Sequence, residues 1–354
     1  MKIAVNKTEG LKQKPVDESK LGFGEIFTDH MFMMEYEKGK GWLNPRVQPY
    51  RNISLDPATM VLHYAQEIFE GLKAYHAVNG EVLLFRPQEN AKRLNRSAER
   101  LCMPRVDKEM FVEALRTLVD IERDWTPRSE GASLYLRPTM IASEIGLSVH
   151  VSNSYLFYII CSPSGAYYQN GLAPIRIFVE DQYVRAVKGG TGFAKTGGNY
   201  ASSLKATHEA AMKGYAQVLW LDGLERKYVE EVGSMNIMFL LDGKLCTAAL
   251  EDNILPGITR DSIITLANDM GVPVEERRIA IAELMEAGKS GKLQEAFGTG
   301  TAAVVSPVGE LTYKGQSITI NQDKIGPLTQ KLYDTLTGIQ TGAITDKHGW
   351  VVKV

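Results

Sequence analysis

Aromatic and branched residues crowd into "FGEIFTDHMFMMEYEKGKGW" (23–42) and "EVLLFRP" (81–87), with turn residues in between, and both stretches predict strands. Between them, "PATMVLHYAQEIFEGLKAY" (57–75) has apolar residues at helical spacing up to a stop at Gly71. "QENAKRLNRSAERLCMP" (88–104) sets apolar and small residues at helical intervals and ends before Pro104. The clearest amphipathic helix is "VDKEMFVEALRTLVDIERDW" (106–125). Asp107 can cap it, and Phe111, Ala114, Leu115, Leu118 and Val119 form a stripe that faces a core.

"ASLYLRPTMIA" (132–142) and "SYLFYIICSPSG" (154–165) read as buried strands, and "PSGAYYQNGLAP" (163–174) then concentrates Pro, Gly, Ser and Asn in one short window. Beyond it "IRIFVE", "AQVLWLD", "YVEEVG", "MNIMFLL" and "AAVVSPV" predict strands, with helices at about 199–213, 260–270 and 281–290. Strands and helices mix without regular strand–helix–strand alternation, so the expected class is α+β. A chain of 354 residues exceeds the usual span of one core. The reading is a small N-terminal α/β domain over 1–164, a linker over 165–175 and a large C-terminal domain over 176–354.

Composition narrows the partners. With 44% hydrophobic residues, 23% charged residues and a formal net charge of −2, the chain has no charge imbalance that calls for a polyanion. Its lysines and arginines make no basic stripe, and no apolar run approaches the roughly 20 residues that cross a bilayer. Neither nucleic acid nor membrane is expected. The first twenty residues lack the apolar core of a signal peptide and are too acidic for a transit peptide, which points to the cytoplasm. Cys102, Cys161 and Cys246 form no CxxC and the histidines form no HxH or HExxH. No disulfide framework and no metal site is expected. The three thiols are read as buried and structural, and His30 and His63 as hydrogen-bonded structural residues.

The chemistry centres on "TGFAKTGGNYASSLKA" (191–206). Lys195 stands among Gly189, Gly190, Gly192, Gly197 and Gly198, where the backbone can approach a ligand closely. A desolvated lysine there becomes a nucleophile able to form a Schiff base with a carbonyl. "LEDNILPGITRDS" (250–262) ends a loop at Pro256 and Gly257 and opens a helix at Thr259, so backbone N–H groups and a hydroxyl converge where an anion is favoured. "EAFGTGTAAVVSPV" (295–308) offers Thr299 and Thr301 in a further glycine turn. In "YVEEVGSMNIMF" the adjacent Glu230 and Glu231 end a strand on opposite faces, so one of them can lie inside against a cation. A carbonyl-trapping lysine, an anion nest and a carboxylate for a pyridinium are together the fixed points of a pyridoxal phosphate site.

"KTGGNYASSLKA", "YVEEVGSMNI", "LPGITR" and "FGTGTAAVVSPV", in this order and spacing, closely resemble the branched-chain amino acid aminotransferases, which are fold-type IV pyridoxal phosphate enzymes. The resemblance extends upstream through "FGEIFTDHMF", "LHYAQEIFEGLKAY", "LFRPQENAKRLNRSAERLCMP" and "ASLYLRPTMIASEIGLSV", and is greatest to the longer form found in eukaryotes and some bacteria. It implies two domains with pyridoxal 5'-phosphate between them, and a homodimer with shared sites. It also implies a reversible ping-pong transfer from leucine, isoleucine or valine to 2-oxoglutarate. Carried over by position, Lys195 is the covalent anchor and proton carrier. Arg93, Ile258, Thr259 and Thr301 hold the phosphate, Glu231 meets the pyridine nitrogen and Tyr200 the phenolic oxygen. Phe23, Phe69, Tyr135 and Tyr167, with Tyr64, Leu147 and Val149 from the other subunit, map onto the substrate cage. Arg137 would meet the distal carboxylate of glutamate, and Thr301 and Ala302, supported by Tyr64, the α-carboxylate. Ser234 stands where relatives have threonine and keeps the hydroxyl. Ala303 and Ser306 stand where some relatives carry a CxxC, so no thiol switch is implied there.

Overall fold

The computed structural model describes residues 1–166 and 172–354. In chain order the elements are β1 (Ala4–Val5), β2 (His30–Glu37), β3 (Gly41–Pro49), α1 (Met60–Tyr64), β4 (Glu67–Phe69), β5 (Leu72–His76), β6 (Val82–Phe85), α2 (Pro87–Arg100), α3 (Lys108–Ile121), β7 (Ser133–Ala142) and β8 (Ser154–Ser164). There follow β9 (Ile175–Glu180), α4 (Gly197–Ala201), α5 (Leu204–Met212), β10 (Gln217–Leu221), β11 (Val229–Val232), β12 (Met235–Leu241), β13 (Lys244–Thr247), α6 (Ile258–Asp269), β14 (Val274–Glu276), α7 (Ile281–Ser290), β15 (Leu293–Gly300), β16 (Val304–Tyr313), β17 (Gln316–Thr319), α8 (Pro327–Gln340) and β18 (Val351–Lys353). Two compact units result. One comprises Met1–Gln169, Ala194–Gly197 and Ile339–Val354, the other Asn170–Phe193 and Gly198–Gly338. The large domain read over 176–354 therefore gives up two pieces. Residues 194–197 bond to β4 and α2, and β18 returns to pair antiparallel with β6.

In the first unit the sheet runs β1–β3–β2–β8–β7–β5–β6–β18, and the short β4 also pairs with β7. Its core joins Phe32, Phe157 and Leu136 of the strands to Leu94 and Ala98 of α2 and Phe111 and Leu115 of α3. The α3 stripe is buried as its periodicity requires, and Asp107 Oδ1 accepts the Met110 N–H at 2.9 Å. The stretch 57–75 departs from the helix expected there. Only Met60–Tyr64 is helical, Ala65 ends the helix in the left-handed region, and the rest supplies β4 and β5. Sheet pairing decides this, since Phe69 lies opposite Thr139 and Leu72 opposite Leu136. Gly71 is there for close approach, because a Cβ would come 2.1 Å from the Tyr135 hydroxyl.

In the second unit the pairing order β11–β10–β9–β16–β15–β12 is closed by the β11–β12 hairpin into a ring, with β17 outside β16 and β13–β14 outside β12. Helix α5 covers β10 through Ala206, Ala210, Val218 and Trp220. The helix expected at 199–213 is split into α4 and α5. Of the three cysteines Cys161 and Cys246 are buried, but Cys102 is exposed in the turn after α2 with φ of 55°. Its reading as a buried thiol fails because the helix has already ended.

A buried polar clip ties the leader down. His30 Nε2 accepts the Thr8 N–H at 2.9 Å, so its Nδ1 carries the proton bonded to Glu122 Oε1. Glu122, at the C-cap of α3, also accepts the Asp29 N–H at 3.2 Å, and Asp29 in turn accepts the Trp125 indole N–H at 2.7 Å. Glu122→Leu strands both His30 and the Asp29 amide, and urea unfolding should show a loss of about 3–5 kcal/mol. The double variant His30→Leu/Glu122→Leu should regain part of that, because the stranded ring N–H is buried whereas the Thr8 amide released in its place is only part-buried.

Candidate active site

Lys195 is held by its backbone. Its N–H donates to Ser97 Oγ of α2 at 2.9 Å and its carbonyl accepts the Phe69 N–H at 3.0 Å. The next two residues continue the clamp. The Thr196 hydroxyl donates to the Glu67 carbonyl at 2.7 Å, and the Gly197 N–H donates to the Glu67 carboxylate. Burial raises the Glu67 pKa, with the Gly197 amide and the Arg137 charge opposing it. Lys195 Nζ lies 4.8 Å from the Phe69 ring centroid, and the Arg137 guanidinium carbon 4.7 Å from the same centroid. Arg137 Nη2 donates to the Tyr135 hydroxyl at 2.9 Å, and Tyr135 meets Phe23 edge-on at 4.7 Å between centroids. Lys195, Phe69, Arg137, Tyr135 and Phe23 are thus brought together within the first unit.

Arg93 is buried on α2, with Nε and Nη2 each 2.8 Å from an oxygen of Glu70. Asn90 Nδ2 adds a bond to Glu70 Oε2 at 2.7 Å. The cation that the resemblance assigns to a phosphate is thereby fixed as a planar fork by a carboxylate. Tyr64, Leu147 and Val149 form a separate group. The Tyr64 hydroxyl bonds the Leu147 carbonyl, while Val149 is 81% exposed. Tyr167 lies outside the described residues. Sequence reasoning did not single out Lys73, which sits opposite Tyr135 on β5, and burial pulls its pKa down to about 8.

In the second unit Gly233 and Ser234 make the two-residue turn between β11 and β12, with Gly233 at φ of 56°. That turn sets Glu231 opposite Asn236, and Asn236 in turn lies opposite Thr299 of β15. Directly opposed residues share a face, so the three polar side chains stand in a row, all at least 95% buried. Glu231 Oε1 accepts the Leu255 N–H at 2.7 Å and Asn236 Nδ2 at 3.4 Å, and Oε2 is ion-paired to Arg185 Nε at 3.0 Å. That last contact has the distance but not the angle of a hydrogen bond. Asn236 Nδ2 also donates to the Leu255 carbonyl at 2.9 Å, and a Cβ on Gly257 would come 2.0 Å from Asn236 Oδ1. The strand row therefore dictates where α6 starts.

Helix α6 begins at Ile258 and Thr259 behind Gly257, and among the described residues no side chain caps it. The buried Thr299 hydroxyl finds no hydrogen-bond partner among the described residues. Thr299 is not in a glycine turn as read from the sequence. It lies in β15, one residue before its end, and Thr301 and Ala302 occupy the turn to β16. Tyr200 lies in α4, its carbonyl bonded to Ser203. Uncapped helix amides, a buried hydroxyl and a fixed carboxylate are donors and acceptors that fit a phosphate and a protonated ring nitrogen. Among the described residues no group of three or more His, Cys, Asp or Glu is placed to hold a metal, and no helix is long and apolar enough to cross a membrane.

Comparison with known proteins agrees with this chemistry. The family model described as "Amino-transferase class IV" matches residues 67–311. Branched-chain-amino-acid aminotransferase 2 of Bacillus subtilis (strain 168) is 55% identical over 352 residues, covering 99% of this chain and 97% of that one. The crystal structure of the Escherichia coli branched-chain amino acid aminotransferase matches with a TM-score of 0.76 at 29% identity, covering 90% of this chain and 98% of that one. The T.th. branched-chain amino acid aminotransferase complexed with N-(5'-phosphopyridoxyl)-L-glutamate matches with a TM-score of 0.75 at 27% identity, over 94% and 98% of the two chains. The chain belongs to the class IV aminotransferases and has their two-domain, fold-type IV architecture.

Asn236 joins three of these features, which makes it the most exposing residue to change. Asn236→Leu should cost about 1–3 kcal/mol in thermal unfolding by stranding the Leu255 carbonyl and one donor to Glu231. Asn236→Asp should cost more, because it sets a second carboxylate across from Glu231.

Proposed function

We propose that this chain is a pyridoxal phosphate-dependent transaminase that passes the amino group of leucine, isoleucine or valine to 2-oxoglutarate in two half-reactions. The observation that carries the reading is Lys195, clamped at both backbone groups with its amine against Phe69. The named relatives support the substrate class. When bound, pyridoxal phosphate supplies an aldehyde carbon open to amine attack and a ring that draws electrons from the substrate α-carbon.

The chain's own residues do the rest. Lys195 Nζ would anchor the cofactor and afterwards take and return the proton at the substrate α-carbon. Glu231 keeps a proton on the ring nitrogen, and the Tyr200 hydroxyl donates to the phenolic oxygen. Ile258 and Thr259 at the α6 start, with Thr301 and Arg93, bind the phosphate. Glu70 holds the Arg93 fork in plane for that purpose. Phe23, Phe69, Tyr135 and Tyr167 exclude water and bury the aliphatic side chain, worth about 0.8 kcal/mol per CH₂. Arg137 and the Tyr135 hydroxyl receive the distal carboxylate of glutamate, and Thr301, Ala302 and Tyr64 the α-carboxylate, with Ser234 adding a hydroxyl beside them. That one relative holds a phosphopyridoxyl-glutamate supports this dual use.

The test is an absorbance spectrum of the holoenzyme with and without leucine. The native protein should lose its yellow band with leucine and regain it with 2-oxoglutarate, and Lys195→Ala should not cycle. A protein that stays colourless with added pyridoxal phosphate would sink the reading.

The working form is a homodimer. Helix α1 is tied to the 144–147 segment by Met60 N–H to the Glu144 carbonyl and Gly146 N–H to the Ala58 carbonyl, both 2.9 Å. Together they present Leu62, Tyr64, Ile145, Leu147 and Val149 to solvent, an apolar patch that is costly to leave wet. Val149→Glu should shift sedimentation from dimer to monomer and lower activity by 10-fold or more, on the order of 1.4 kcal/mol. An unchanged mass would place the interface elsewhere.

A further inference from the structure

Both carboxylates of the β11 pair are buried, not one as strand alternation suggested, since a bulge interrupts the β10–β11 pairing here, and the proposed chemistry gives Glu230 no part. It is 3% exposed, and its Oε1 accepts the Asn253 Nδ2 amide. Glu230 Oε2 and Asn253 Oδ1 find no hydrogen-bond partner among the described residues, and both residues line one small cavity. Two buried acceptors at one cavity with no donor between them are short of one proton.

The surrounding charges leave that proton nowhere else to go. Arg185 is ion-paired with Glu231 through Nε at 3.0 Å, and its Nη2 donates to the Gly192 carbonyl at 3.0 Å and the Asn253 carbonyl at 2.6 Å. Burial works against the Asp222 charge, but the N–H groups of Leu224, Glu225, Lys227 and Tyr228 outweigh it and hold its pKa below the usual range. On the cavity wall, Arg278 lies 3.8 Å over the Tyr228 ring and is paired with Glu225, and Glu251 is paired with Lys188. Burial pushes the Glu230 carboxyl up to about 8, with the Glu231 and Asp222 charges adding and Arg185 and Asn253 opposing.

We propose that Glu230 carries a proton in the native protein and acts as a positioning residue, its Oε2–H bonding Asn253 Oδ1 directly or through one water. The acid then grips both ends of the Asn253 amide. The Asn253 carbonyl holds Arg185 Nη2, and the Arg185 charge is left to Glu231 alone. Only this last link rests on the reading of Glu231 as the cofactor's partner.

The test compares the native holoenzyme with Glu230→Gln and Glu230→Ala. Glutamine keeps both halves of the pairing without titrating, whereas alanine loses both. A carboxyl whose folded pKa is raised binds its proton more tightly folded than unfolded, so its stabilisation is complete below the ordinary range near 4.5 and is lost as pH rises towards 8. Between about pH 5 and pH 8 the melting temperature of Glu230→Gln should therefore climb relative to the native protein and then hold a constant gap. Glu230→Ala should melt lower than Glu230→Gln throughout. A gap between Glu230→Gln and the native protein that does not change with pH overturns the proton on Glu230. The bound-cofactor absorbance should show a transition near pH 8 in the native protein that Glu230→Gln removes. A transition that persists in the variant overturns the link to Glu231. Should no cofactor band exist at all, the transaminase reading fails while the melting curves still decide the proton.

Discussion

A carboxylate taken out of water needs its donors in place before anything can be built around it, and the second unit is organised around meeting that need for Glu231. The Leu255 N–H, the Asn236 amide and the Arg185 guanidinium come from three separate stretches of chain. Each is constrained in turn. The Gly233–Ser234 turn fixes the register that sets Asn236 opposite Glu231, and Gly257 must lack a side chain for the loop to pass Asn236. The Arg185 anchor also fixes the Gly192 and Asn253 carbonyls. Removing the Arg185 charge from this pair costs about 3–5 kcal/mol, more than the loss of either neutral donor.

The first unit solves the same problem at Glu70 and Glu67 with a different outcome. Glu70 satisfies Arg93 and Asn90, and so turns a flexible arginine into a fixed fork on α2. Glu67 reaches the Gly197 amide, and its carbonyl takes the Thr196 hydroxyl, so one strand residue holds the two residues after Lys195. A Cβ at position 197 would come 1.9 Å from Glu67 Oε1. Gly197 is therefore read better as room for a carboxylate than as freedom of the backbone, whereas Gly189, at φ of 78°, does need that freedom. The clamp fixes the lysine's backbone beforehand, so only side-chain entropy is lost when its amine is engaged.

How much of this could be read from the sequence depended on whether the signal was local. The α3 stripe and its Asp107 cap, the Pro87 start of α2 and the long strands β7 and β8 are written in periodicity that neighbouring residues complete. The helical spacing read in 57–75 up to Gly71 gave way largely to strands because their partners, Leu136 and Thr139, lie far downstream. Lys195 and the helix start near Thr259 drew notice from their settings, whereas the carboxylates drew notice only as the pair Glu230 and Glu231. The choice of Glu231, like the aromatic residues near the lysine, came from the family resemblance. Glu70, Glu67, Asn236 and Arg185 were not singled out, although a polar residue inside "EIFEGL" or "SMNIMF" carries the same signal that drew notice to that pair. What was missing was the partner, since a buried charge can be recognised locally but its counter-charge comes from another element.

Contrast within the fold bears on what the α6 start is for. Asp107 caps α3, and the first amides of α8 are taken by Glu295, which accepts the Leu328 N–H at 3.0 Å and the Thr329 N–H at 2.8 Å. Helices α1, α2, α5 and α7 also start without a side-chain cap among the described residues, so the bare end alone does not set α6 apart, and what stands beside it does. At α6 the chain places Gly257, and the nearby strand row ends in Thr299, whose buried hydroxyl has no partner among the described residues. A carboxylate at that helix start would repel a phosphate, whereas bare amides and a hydroxyl bind one with the helix dipole in their favour. In the proposed reading the uncapped helix start and the Thr299 hydroxyl serve one purpose seen from two elements, the binding of a phosphate that the chain does not itself supply.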